Sequence, residues 1–238
     1  MKRGIVDNVI VPTLFLLIAG GSATMSVVEI DKRTVKPVVI EEPKEVAPLP
    51  PPPPPPPLVI SKYDSLFKEV AKEYNMDWRL LAAIANAESK FTNDAVSPAG
   101  AVGLMQIMPI VAKQFGYSRA QLLDTRTNIE MAAKVLSKNQ ELLKLPDSIN
   151  EDDKWKLILA CYNAGFARVI DARALTRHFN GNACCWEEVA SYLSKLSQSE
   201  FARHKVVKYG RFRGSKETIG FVNKVMTKYH QYKNGKTE

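Results

Sequence analysis

The stretch "LLAAIANAESKFTNDAVSPAGAVGLMQIMP", Leu80–Pro109, opens as an apolar helix and then turns into a loop of small residues. Leu81, Ile84 and Glu88 stand at i, i+3 and i+7, so the single acid shares a face that otherwise reads as buried. Glu88 also falls in the last turn, where unpaired carbonyls disfavour a negative charge. Desolvation and the helix dipole both favour the neutral form, so a raised pKa is expected. A carboxyl that keeps its proton near neutral pH can act as a general acid on a leaving oxygen. A lone buried Glu is more often structural, paired with a Lys or a backbone amide. The loop that follows shifts the balance. Gly100 and Gly103, flanked by Ala99 and Ala101, let another chain or a ligand approach closely. Gln106 then sets an amide among Leu104, Met105, Ile107 and Met108, where it needs a partner.

Outward from this stretch the periodicity is helical almost throughout. Leu66, Phe67, Val70, Ala71 and Tyr74 recur at helical spacing, and Asp77 is suited to cap a helix starting at Trp78. Further helices are expected around 109–116, 128–144, 151–163, 166–178, 186–196 and 217–232, with Asn150 capping the one that begins Glu151-Asp152-Asp153. Strand-like alternation is nearly absent; "KVVKY" (205–209) is the one candidate for a short strand. In "LILACYNAG" (157–165) a face of Trp155, Ile158, Leu159 and Tyr162 puts a phenol in the core just before Asn163-Ala164-Gly165 ends the helix. The expected fold is mainly α: one domain over 61–238, of about 175 residues and large enough for a real core.

The N-terminal part is of another kind. Lys2-Arg3 precede an uncharged run, Asn8 to Val28, and Glu29 and Asp31 follow it. That charge order marks residues 1–28 as an export signal or an uncleaved signal-anchor helix. Residues 29–60 read as a disordered linker with eight consecutive prolines, Pro50 to Pro57. Such a run forms a stiff polyproline II stalk of roughly 25 Å, which favours an anchor in the cytoplasmic membrane and an extracytoplasmic domain.

Of 238 residues, 33 are Lys or Arg and 25 Asp or Glu, a net charge of +8. The first 57 residues are balanced, six against six, so the excess sits on the folded part. A basic domain suits an anionic partner such as a cell-wall polymer; a nucleic-acid binder is not expected, since no motif for one is present. Cys161, Cys184 and Cys185 are too few for a disulfide framework and read as idle thiols, with a bridge from the vicinal pair to Cys161 as the other option. His178, His204 and His230 are scattered, so no metal or other cofactor is expected.

In combination and in this order, Glu88-Ser89, "SPAGAVGLMQIMP", "YNAG" (162–165) and "ETIGFVNKVMTKY" (217–229) resemble the lytic transglycosylase family with the soluble-transglycosylase (goose-lysozyme-like) domain. The resemblance covers roughly 65 to 230. It implies a lysozyme-like α fold with a groove for glycan strands of peptidoglycan. By the same resemblance Glu88 would be catalytic acid and base, Ser89 would help position substrate, and Gln106 would line the groove near an N-acetyl group. Tyr162 would hydrogen-bond Glu88, with Asn163 beside it, and Glu217 would match a second, substrate-orienting glutamate. The implied reaction is non-hydrolytic cleavage to 1,6-anhydromuramyl ends. Alternatives are a hydrolytic muramidase, with Asp94 or another acid positioning water, and a wall-binding module without turnover. Cys161 replaces the usual small residue before the Tyr-Asn-Ala-Gly motif. Between 180 and 216 the resemblance fades, and "FARHKVVKYGRFRGSK" (201–216) carries six Lys/Arg and His204 with no acid. That run reads either as a contact for stem-peptide carboxylates or as a solvated face.

Overall fold

Six successive residues of one helix, Leu80 to Ala85, are buried and all six are apolar, so every face of the turn is covered. A helix apolar all round must be buried on several sides, and the helices Asp64–Glu73, Thr125–Leu143 and Ser215–Lys233 pack against it. The computed structural model describes residues 58–237. The expected N-terminal hydrophobic segment, 1–28, and all but the last three residues of the expected linker lie outside the described residues.

The elements follow in order: α1 (Asp64–Glu73), α2 (Trp78–Ser89), α3 (Pro109–Gln114), a 3-10 turn (Gln121–Leu123), α4 (Thr125–Leu143), α5 (Glu151–Ala164), α6 (Phe166–His178), α7 (Trp186–Lys195), the single turn α8 (Ser199–Ala202) and α9 (Ser215–Lys233). α2 lies along α1 and α9, α5 packs on α4, α6 and α9, and α6 packs on α7. Local chemistry sets the starts. The Asp77 carboxylate accepts the Arg79 N–H at 2.9 Å, and Asp124 accepts that of Thr127 at 2.8 Å. Asn150 Oδ1 accepts the N–H groups of Asp152 and Asp153 at 2.9 and 3.3 Å, with three acids in that first turn. Gly165, at φ +86°, ends α5 and begins α6 in one residue.

Pairing of extended chain is limited to two isolated bridges, Val96 with Val102 and Val102 with Ile107, among the described residues. The mainly α expectation therefore holds. The strand expected at 205–209 does not form. Its Lys208 and Tyr209 N–H groups donate to the Asp171 carboxylate at 2.8 Å each, which leaves no ladder to join. The 3-10 turn and α8 have no counterpart in the expected helices; both are too short to show a period. All three cysteines are free thiols, and burial pushes the Cys161 thiol far up, so it stays inert. No helix among the described residues is long and apolar enough to cross a membrane.

Candidate active site

The end of α2 is built around Glu88. The helix stops one residue later, where Lys90 and Phe91 take left-handed φ of 55° and 62°. Phe91 is drawn back onto the core, its ring centroid 6.4 Å from that of Phe67. The Ser89 hydroxyl donates to the Leu104 carbonyl at 2.7 Å and accepts the Thr92 N–H at 3.1 Å. Ser89 thus ties the helix end to the Gly-Leu-Met-Gln loop, and its one proton is already committed to that strut.

That loop is held by a residue the sequence reading passed over. Asn128, buried in α4, accepts the Met105 N–H at 2.8 Å and donates to the carbonyls of Val102 and Leu122, both at 3.0 Å. Gly103 is required by it: a Cβ there would stand 2.4 Å from Asn128 Nδ2, and φ is +81°. Leu104 and Met105 are fully buried, so they anchor the loop rather than face a ligand. Gln106, at φ +49°, donates from Nε2 to the Ala95 and Gly103 carbonyls at 3.1 and 3.0 Å. Both amide hydrogens are used, so Oε1 alone is left to accept from a ligand. An asparagine on the apolar face of α4, between Leu122 and Ile129, was the available signal for Asn128.

Tyr162 approaches from α5. Its hydroxyl, expected to hydrogen-bond Glu88, donates instead to the Met105 carbonyl at 2.6 Å. With that proton committed to Met105, the phenol has none to offer Glu88. Burial, with the nearby Glu88 charge, pushes the Tyr162 pKa well above its ordinary value, so the hydroxyl keeps its proton. Its ring stacks on Phe221 of α9, with centroids 6.2 Å apart and planes at 9°. Asn163 Oδ1 accepts from the Thr218 hydroxyl at 2.8 Å, which fixes the first turn of α9 against the end of α5. Glu217 stands in that turn, exposed, and near enough that its charge bears on Glu88.

Glu88 itself is partly accessible yet mostly enclosed by protein, and among the described residues its carboxyl makes no hydrogen bond or ion pair. Burial raises its pKa from 4.5 to about 7; the Lys224 ammonium opposes the rise and the Glu217 carboxylate adds to it. Lys224, one helical face along from Glu217 at i+7, donates to the Ala87 carbonyl at 2.9 Å, an acceptor freed by the end of α2. Burial and the neighbouring Lys90 ammonium hold the Lys224 pKa below its ordinary value. Beside this group a cavity of about 340 Å³ is lined by Gln106, Met108, Phe115, Asn139, Tyr162 and Phe166 among others. A larger cavity of about 610 Å³, between Tyr74, Lys144 and Glu151, shares no residue with the group. Among the described residues no cluster of His, Cys, Asp and Glu is fit to hold a metal ion.

Glu88, Gln106, Tyr162 and Glu217 are thus brought to one place, Asn163 supports α9, and Ser89 supports the loop. Fold and site together describe an all-helical domain carrying one desolvated, proton-holding acid at the end of its central helix. Residues 65–184 match the family model of the transglycosylase SLT domain. The chain belongs to that family. It is similar to the membrane-bound lytic murein transglycosylase F of Salmonella arizonae, 36% identical over 167 residues, and to that of Pseudomonas putida, 37% identical over 170 residues. These matches cover 70% and 71% of this chain but 31% and 34% of the relatives, so the chain spans about a third of their length. Among solved structures it is similar to the 70 kDa soluble lytic transglycosylase of Escherichia coli, at 26% identity and a TM-score of 0.48, over 76% of this chain and 25% of that one.

Proposed function

We propose that the chain is a peptidoglycan lytic transglycosylase that cleaves the β-1,4 bond between N-acetylmuramic acid and N-acetylglucosamine, with Glu88 as both acid and base. One observation carries this: burial lifts the Glu88 carboxyl to about 7 while, among the described residues, it has no fixed partner, so it holds a proton and is free to deliver it. Glu88 gives that proton to the glycosidic oxygen as the bond from the muramyl C1 breaks. The carbonyl oxygen of the 2-acetamido group supports the cationic C1. Glu88, now a carboxylate, takes the proton of the muramyl 6-hydroxyl as that oxygen attacks C1. The product is a 1,6-anhydromuramyl end, the acid is restored, and no water is consumed.

The other groups fit this use. Tyr162, its proton committed to Met105, has none to give the Glu88 carboxylate. Gln106, which lines the cavity, keeps Oε1 as an acceptor for an acetamido N–H. Glu217 is suited to accept from sugar hydroxyls. The relatives' names place those proteins at a membrane and on murein, and we extend that setting to this chain: an extracytoplasmic domain in the cell envelope, tethered by residues 1–28 through the proline-rich stalk.

One observation favours a second reading. Glu217 is a carboxylate whose charge reaches Glu88, and a carboxylate pair is the usual equipment of a hydrolase. Asp94, the other acid expected in that role, is exposed and not among the charges acting on Glu88. Mass spectrometry of digested sacculi decides between the two. Anhydro ends, each lighter by one water than a reducing end, support transglycosylation; hydrated ends as sole product would refute it. Glu88→Gln should abolish release of either.

A further inference from the structure

The basic run between α8 and α9 has no regular structure, yet it is tightly held. Asp171 of α6 is fully buried, with Oδ1 accepting the Lys208 N–H and Oδ2 the Tyr209 N–H, both at 2.8 Å. Arg168, one turn earlier, donates to the Tyr209 carbonyl at 2.7 Å, and its guanidinium lies 5.9 Å from the centre of the Phe212 ring. The Phe212 N–H donates to the Leu196 carbonyl at 3.1 Å, and Arg211 reaches the Ser199 hydroxyl. Gly214 is bare because a Cβ there would stand 2.9 Å from the Phe212 ring. A buried carboxylate spent on two backbone amides is a costly anchor for a segment that only meets solvent.

What this anchor displays is charge. Lys205, Lys208, Arg211, Arg213 and Lys216 are all exposed, and among the described residues none forms a salt bridge. Tyr209, 54% exposed, adds an apolar face to the same run. The run leads straight into the first turn of α9, where Glu217 faces the site and Thr218 is tied to Asn163. It also lies outside residues 65–184, the span of the family model. A strand of acetylated amino sugars carries no charge of its own once its muramyl carboxyls are joined to peptides. The carboxylates of those peptides are the anions that accompany it.

We propose that the Asp171-anchored loop 203–216 binds the peptide carboxylates of peptide-substituted glycan strands, Lys208 and Arg213 being specificity-determining residues and Asp171 the positioning residue. This rests on the reading of the chain as a peptidoglycan enzyme. An anionic membrane surface is the competing partner. Continuity with the turn that carries Glu217 favours the substrate.

The test compares native glycan strands with strands whose peptide carboxylates have been converted to amides by carbodiimide and ammonia. With the full chain, the KM should be about threefold to tenfold higher on the amidated strands, as expected for losing two exposed ion pairs, with kcat little changed. The double variant Lys208→Gln/Arg213→Gln, altered only at exposed side chains, should show the higher KM on both substrates and no longer distinguish them. Asp171→Asn should give the same loss of discrimination. A wild-type KM indifferent to amidation, or a variant KM that rises while the distinction persists, would overturn the proposal. So would a charge-dependent affinity for phosphatidylglycerol vesicles with no distinction between the two strands. Retention of the Glu88→Gln chain on native and amidated sacculi reads the same contrast without turnover. A wild-type chain that releases no anhydro product would refute the functional reading, while retention would still decide the loop.

Discussion

Replacing Glu88 by Gln should make the domain more stable, and only above acid pH. The carboxyl titrates at about 7 in the folded chain against 4.5 as a free side chain. Below pH 4.5 both states hold the proton, and Gln differs little from the neutral acid. Between 4.5 and 7 the unfolded chain releases its proton while the folded chain retains it, so folding stability falls as pH rises; above 7 the loss is complete. A shift from 4.5 to about 7 amounts to about 3 kcal/mol at 1.36 kcal/mol per unit. For a domain of this size that is about 6–12 °C in melting temperature. The assay is thermal or urea unfolding of wild type and Glu88→Gln at pH 4 and pH 8. The two should melt together at pH 4, and the variant should lead by that margin at pH 8. A gap of the same size at both values would show that Glu88 is not held neutral by burial, and the reasoning from desolvation to general acid would fail.

The rate on sacculi should fall about tenfold per pH unit above about 7, as the acid form is depleted. Lys224→Met, which removes the charge that opposes the rise, should move that limb to higher pH, and Glu217→Gln should move it lower; pH–rate profiles of the two variants check both directions. Gly103→Ala should cost about 3 kcal/mol or more, because the φ of +81° and the Asn128 contact at 2.4 Å both resist a methyl group; chemical denaturation measures it. Tyr162→Phe should cost about 1 kcal/mol of stability by leaving the Met105 carbonyl unpaired, and its pH–rate limb should stay in place, because burial, Lys224 and Glu217 set the Glu88 pKa; denaturation and a pH–rate profile check the two.

Much of this was legible in the chain because helices write their faces into the sequence. Leu81, Ile84 and Glu88 fixed the burial of the acid from spacing alone, and the Asp77 and Asn150 caps fell where side-chain oxygens meet free N–H groups. Partners across long separations were not legible. Tyr162 and Met105 are 57 residues apart, and nothing local tells a phenol whether to donate to a carboxylate or to a carbonyl. Lys224 and Ala87 are 137 apart, so the cation beside the acid could not be read from either segment. "KVVKY" alternates like a strand, but a strand needs a neighbour, and the buried Asp171 took its amides first.

The central claim is that one carboxyl, without water, performs both halves of the reaction. Digesting sacculi in water enriched in heavy oxygen, followed by mass spectrometry of the released muropeptides, tests it most directly. Anhydromuramyl products free of the label are predicted, and their loss with Glu88→Gln. Labelled oxygen at newly formed reducing ends would contradict the account.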